Sequence, residues 1–255
     1  MSGHAGELAA AATFLRRDAH ANRELLLALR YEPIVDLHLT TQAGIVTGVL
    51  LRGAGPFNPA PNWIRLDALD QAAARGLMAV LREPHRWIFS VHRAWIADLL
   101  MAEFGLRSTG DGVLGYLVDR ARLTLHADHG ARLLTPRDDA LVQRSRCGWS
   151  LGYFRQLFAD GRRPWAIVRD GAIVCRASSG YLVDDVEEVV GVWTHPQWRG
   201  RGFGRAIVSA VAADILERHA YAAYTTTYAN QASQAVAQAV GFWRSFDAPS
   251  LRAAS

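Results

Sequence analysis

One stretch constrains this chain more than any other: Trp193-Thr194-His195-Pro196-Gln197-Trp198-Arg199-Gly200-Arg201-Gly202-Phe203-Gly204-Arg205-Ala206. An apolar run, Val186 to Val192, precedes it, and an amphipathic run, Ala206 to Leu216, follows it. It therefore reads as a turn between a strand and a helix. Gly200, Gly202 and Gly204 leave the backbone N–H groups of the turn uncovered by side chains. The helix that starts there adds free N–H groups and the positive end of its dipole. With Arg199, Arg201 and Arg205 around it, the turn is a seat for a phosphate or pyrophosphate.

Two common phosphate loops are excluded. A Walker loop needs a lysine to reach the terminal phosphates, and all 28 basic residues here are arginine. A dinucleotide fingerprint reads G-x-G-x-x-G with an acid about 20 residues on. Here the spacing is G-x-G-x-G, and the nearest acid, Glu217, falls at the end of the helix. What does fit is R-x-x-G-x-G at Arg199, Gly202 and Gly204, with Pro196 just upstream.

A second element lies downstream. Asn230 to Phe242 reads as a helix with Asn230 as N-cap, an alanine-rich interior and Gly241 as the residue that ends it. A strand, Tyr221 to Thr227, stands between the two elements. In this order the motifs resemble the pyrophosphate arm and the downstream N-x-x-[SA]…GF signature of the GNAT acyltransferase superfamily. The wording from Thr225 to Ser233 is closest to its glycine N-acyltransferase-like branch. The resemblance implies an acyl-coenzyme A co-substrate, held by Arg199, Gly200, Arg201, Gly202, Phe203, Gly204, Arg205 and Asn230. It further implies that the backbone of Val192, Trp193 and Thr194 pairs with pantetheine where this strand splays from the next.

Composition narrows the remaining classes. At 255 residues, half of them apolar, the chain is long enough for one large or two modest domains. No run approaches a membrane span, and the N-terminus lacks the basic start of a signal peptide, so no membrane association is expected. The net charge of +4 is not gathered into a tail or stripe, which argues against nucleic acid as a partner. Cys147 and Cys175 have no metal-ligand spacing, so no metal is expected; free thiols suit a cytoplasmic protein. Without lysine there is no Schiff-base chemistry. Oligomeric state is not readable.

Along the chain, residues 5–30 read as one helix ended by Pro33. Strands at 34–40 and 45–51 are joined at Gln42-Ala43-Gly44, followed by a Gly53–Pro61 loop, a strand at 63–66, a helix at 70–82, a strand at 87–91, a helix at 94–104 and a strand at 113–118. The polar run His126 to Gly130 marks a boundary. Beyond it come a strand at 131–134, helices at 136–144 and 151–158, a hairpin about Arg169-Asp170-Gly171, and the strand Val186–Thr194. The expectation is an α/β (α+β) protein. Residues 131–248 form a C-terminal GNAT-like mixed sheet flanked by helices, and residues 1–127 an N-terminal α+β domain. A degenerate copy of the same fold is an alternative for the first half, with no residue repeat to establish it. The resemblance also implies two strands after the second motif, yet only Phe242–Phe246 looks strand-like. The other must be absent, or come from the N-terminal half or another chain.

Acyl transfer to an amine needs a positioned thioester, a base, an oxyanion site and a way for the thiolate to leave. Glu188 is the candidate base. Simple alternation sets it on the face of Val190, Val192 and Thr194, and a bulge would swap the faces and favour Glu187. Many members of the resembled family carry a tyrosine acid four residues before the G-F pair; that position is Ala237. Tyr228 and Ser233 are the nearest hydroxyls and complete the catalytic candidates, Ser233 suiting contact with coenzyme A better than proton transfer. Cys175 reads as core packing. The reading is an N-acetyltransferase that moves acetyl, or another short acyl group, from acetyl-CoA (acyl-CoA) to a small amine acceptor. Arg155, Arg162 and Arg176 are available to hold an acceptor carboxylate. The alternative is a catalytically dead acyl-CoA sensor or partner-binding module.

Overall fold

The computed structural model describes residues 2–32, 34–53, 62–127 and 129–253. Pro33, most of the expected Gly53–Pro61 loop and Asp128 of the expected boundary lie outside the described residues. The chain divides into two compact units that interleave in sequence. One comprises 1–114, 227–229 and 245–255, the other 115–226 and 230–244.

The first unit opens with α1 (Ser2–Leu15), a 3₁₀ turn (Arg16–Asp18) and α2 (Arg23–Tyr31). The expected single helix is thus broken. The side-chain amide of Asn22 donates to the carbonyl of Leu15 at 3.0 Å, so a side chain takes the place of a helical backbone bond. Then follow β1 (Ile34–Gln42), β2 (Ile45–Gly53), β3 (Trp63–Ala68), α3 (Gln71–Met78), β4 (Ile88–Ser90), α4 (Ala94–Phe104) and β5 (Leu106–Val118), which passes into the second unit at Gly115. Ala43 and Gly44 both have positive φ, the geometry of a tight hairpin between right-twisted strands. α3 starts at the cap Asp70, whose carboxylate accepts from the N–H of Ala73 at 2.8 Å. Leu50, Ile64, Leu66, Leu77, Phe89, Ile96 and Leu100 form its core, each burial stabilising by roughly 1.5–3 kcal/mol. Arg65 is buried there between Glu24 at 2.8 Å and Glu32 at 2.9 Å.

The second unit continues through β6 (Arg132–Leu133), α5 (Asp139–Ser145), α6 (Leu151–Ala159), β7 (Pro164–Arg169), β8 (Ala172–Val183), β9 (Val186–Thr194), α7 (Phe203–Leu216), β10 (Tyr221–Thr227), α8 (Gln231–Val240) and the start of β11 (Trp243–Ala253). Its strands stand in the order β5-β10-β9-β8-β7-β6. β10 and β9 run parallel; β6 through β9 are antiparallel. The strand beside β10 is therefore β5, from the first half of the sequence. β11 is longer than expected and pairs antiparallel with β4 in the first unit. Mixed sheets flanked by helices match the expected fold class. Among the described residues no helix is long and apolar enough to cross a membrane.

Candidate functional site

The register of β8 against β9 decides which side chains share a face. Cys175 stands opposite Thr194, Arg176 opposite Trp193, Ser178 opposite Val190, Ser179 opposite Val189 and Gly180 opposite Glu188. Between the pairs at Arg176 and Ser178, one residue of β8 faces two of β9, a bulge at Gly191-Val192. Gly191 has φ +63°, a left-handed conformation costly for other residues. The bulge flips the alternation. Glu188 and Val190 share a face with Trp193 and Arg176, whereas Glu187 and Val189 share the other with Thr194 and Cys175. The expected company of Glu188 with Thr194 is thereby corrected. Glu187 does share the face of Thr194, but its buried carboxylate is held by Arg218 at 2.8 Å and His219 at 3.4 Å, just past the C-terminus of α7.

Pairing of β9 with β10 runs from Val186–Tyr221 to Val189–Tyr224 and stops there. Beyond that fork the register of β9 continues with β8, and among the described residues 190–194 form no pair with β10. The chain then turns through a 3₁₀ segment, Pro196–Trp198, and enters α7 at Phe203. Gly200 (φ +75°) and Gly202 (φ +86°) make the turn. The N–H of Ala206 is the first to bond inside the helix, to the carbonyl of Gly202 at 3.0 Å, so those of Phe203, Gly204 and Arg205 lack intrahelical partners. Arg199 donates to the carbonyl of Thr194 at 3.2 Å, and Arg201 lies over the Trp198 ring at 4.8 Å. Among the described residues none of Arg199, Arg201 and Arg205 is in an ion pair. α8 begins at Asn230, whose Oδ1 accepts from the N–H of Ser233 at 3.1 Å.

These pieces enclose a cavity of about 590 Å³. Val192, Trp193, Thr194, Arg199, Gly200, Gly202, Phe203, Gly204, Arg205, Asn230 and Ser233 line it, joined by Trp198, Tyr224 and the small residues Ala232, Ala235 and Ala239. Arg201 is outside the lining, as are Glu188 and Tyr228. The carbon-rich walls beside a cationic turn suit a ligand with an apolar arm and a phosphate end.

Tyr228 is a correction. It belongs to the first unit, where its hydroxyl donates to Asp247 and its ring lies on the backbone of Gly112, a position no side chain could share. The hydroxyl that does reach the cavity is Tyr224, whose oxygen is 2.6 Å from Ser233 Oγ. Its phenol is shifted upward by burial and by the nearby Glu188. Strand parity was the available signal, since Ala222, Tyr224 and Thr226 share a face, but the register with β9 was needed to choose it.

The other candidates fall into place around this site. Arg155 is engaged with Asp139 at 2.5 Å, and Arg162 lies 3.8 Å from Asp160 and over the Tyr181 ring. Arg176 has no carboxylate partner among the described residues. It donates to the carbonyls of Cys147 and Gly191 and lies over the rings of Trp149 and Trp193, with its pKa drawn down by burial. Cys175 is buried, its sulfur 3.2 Å from Thr194 Oγ1, and burial pushes the thiol up to about 11. An acid whose folded pKa is raised stabilises the fold below its unfolded pKa, here 9.0, and loses that contribution as pH rises towards the folded value. Chemical denaturation should therefore show stability falling between about pH 9 and 11 in the wild type, and less steeply in Cys175→Ala.

Residues 158–248 match the family model for GNAT acetyltransferases. No curated protein matches the sequence. Among solved structures, a GCN5-related N-acetyltransferase from Kribbella flavida is 18% identical with a TM-score of 0.60, covering 96% of both chains. A tandem GNAT protein from the clavulanic acid biosynthesis pathway is also 18% identical, with a TM-score of 0.59, over 96% of this chain and 93% of that one. A GCN5-related N-acetyltransferase from Sphaerobacter thermophilus is 12% identical at a TM-score of 0.61, over 96% of this chain and 89% of that one. At these identities the likeness is one of fold. The family match links residues 158–248 to the GNAT acetyltransferases.

Proposed function

We propose that this protein is an N-acyltransferase that moves an acetyl or other short acyl group from acyl-CoA to the amine of a small molecule. The observation that carries the reading is the cavity, which brings the glycine-arginine turn, the unpaired edge of β9 and the start of α8 around one volume. In this reading Arg199 and Arg205, with the N–H groups from Gly200 to Arg205, hold the pyrophosphate, and the Arg201 side chain, outside the lining, adds positive charge nearby. The β10-facing backbone groups of Val192, Trp193 and Thr194 pair with pantetheine. Residues 131–248 are then the acyl-CoA-binding domain. The glycine N-acyltransferase-like branch is the placement we favour, with the cytoplasm as the compartment.

The fork between β9 and β10 brings donor and acceptor together from opposite faces of the sheet. The donor lies on the Thr194 face. The amine arrives on the other, where Glu188 takes its proton and Arg176, framed by Trp149 and Trp193, meets a carboxylate. An amino-acid-like acceptor follows from that pairing.

Acetyl-CoA should raise the melting temperature. At a hundred times Kd, linkage adds about 2.7 kcal/mol, roughly 5–10 °C for a chain of this size. No shift at millimolar ligand would sink the reading. A screen of amines and amino acids with a coloured thiol readout then identifies the acceptor; binding without thiol release by any of them would favour the sensor instead.

A further inference from the structure

We infer that Tyr224 is the proton donor to the departing sulfur of coenzyme A, with Ser233 orienting it, an assignment that rests on the acyl-CoA reading above. Two hydroxyls that share one hydrogen bond have one O–H proton left over. Tyr224 and Ser233 share such a bond at 2.6 Å, and both line the cavity. No other hydrogen bond of either hydroxyl competes for that proton in the described structure.

Position along the strands supports the same assignment. Tyr224 forms the last β10 pair, with Val189, before the strands part. An acyl-pantetheine arm laid along Thr194, Trp193 and Val192 from the cationic turn reaches its thioester end at that fork. Tyr224 is on the Thr194 face and Glu188, paired with Ala223, on the opposite one. Acid and base thus flank the fork without neutralising each other. Burial keeps the phenol protonated, Glu188 on β9 and Cys175 on β8 act in the same direction, and the hydrogen bond with Ser233 opposes them.

The step balances as follows. The amine nitrogen forms its bond to the acyl carbon, and its proton passes to Glu188. The C–S bond breaks, and its electron pair leaves with sulfur. Sulfur takes the Tyr224 proton, giving free thiol. The phenolate, stabilised meanwhile by the O–H of Ser233, regains a proton from water once coenzyme A leaves. Glu188 releases its own to solvent.

The test uses coenzyme A itself and its desulfo analogue with the full chain. Ultraviolet titration of the coenzyme A complex, with that of the desulfo complex subtracted, reads the ionisation of the bound thiol. A hydroxyl donating to the thiolate lowers that pKa. The bound thiol in wild type should ionise about one to two pH units below that in Tyr224→Phe. Ser233→Ala should shift it by less, because the phenol remains. Equal thiol pKa values in wild type and Tyr224→Phe overturn the assignment while leaving the acyl-CoA reading intact. Failure of wild type to bind coenzyme A overturns both. Should Tyr224→Phe not fold, Ser233→Ala carries the test, and an unshifted thiol there overturns the assignment.

Discussion

Gly202→Asp should lose coenzyme A binding by about a thousandfold and remain folded. Gly202 sits at φ +86° immediately before α7, at the centre of the donors that face the cavity. A carboxylate there stands against a pyrophosphate, and two unit charges about 4 Å apart near a protein surface repel by about 4 kcal/mol. The backbone cost is smaller, on the order of 1 kcal/mol, since Asp tolerates the left-handed region better than most residues. The nearest atom to an added Cβ is His129 Nε2 at 3.4 Å, a contact that a small shift relieves. Gly202→Ala separates the two effects, keeping the strain without the charge, and should bind far better than Gly202→Asp. Calorimetric titration checks both. A folded Gly202→Asp that binds coenzyme A normally would show that the turn is not the seat.

Glu188→Gln should reduce turnover by roughly 10²–10⁴-fold, the usual cost of losing a general base, with coenzyme A affinity nearly unchanged. The substitution keeps shape and removes the proton acceptor. Glu188 lies outside the cavity lining and across the sheet from it, so the donor loses no contact. The defect should shrink as pH rises, because the acceptor ammonium then deprotonates in solution. Glu187→Gln is the control. Its carboxylate is committed to Arg218 and His219, so the change should lower the melting temperature and spare turnover. The opposite outcome, loss of turnover in Glu187→Gln alone, would move the base to the other face.

The elements around the site were legible because their signals are local. β9 and β10 end where the sequence places them, Asn230 caps α8, and Gly241 closes it in a left-handed conformation. Each depends on a side chain bonding its own backbone, on a glycine accepting positive φ, or on a period of two or 3.6 residues. The turn from Arg199 to Arg205 belongs with them: its chemistry is written in which residues lack side chains and which carry charge.

Partnership was decided elsewhere in space. The phase of Glu188 depends on a bulge at Gly191 that exists only through pairing with β8. A glycine in a strand hints at such a bulge, but the count of residues on the partner strand decides it. Tyr228 and Tyr224 lie four positions apart, and the sequence pointed only to the first. Asp247 and the bare backbone of Gly112 take the first, and Ser233 brings the second into the cavity. The strand beside β10 comes from β5, and residues 227–229 and 245–255 join the first unit, pairings between segments far apart in the chain. Sequence alone determined the local vocabulary of this protein, its strands, caps and cationic turn, because those follow from each residue and its near neighbours. Which carboxylate, which hydroxyl and which strand complete the site was decided by tertiary structure, because register and burial are properties of chain segments that meet only on folding.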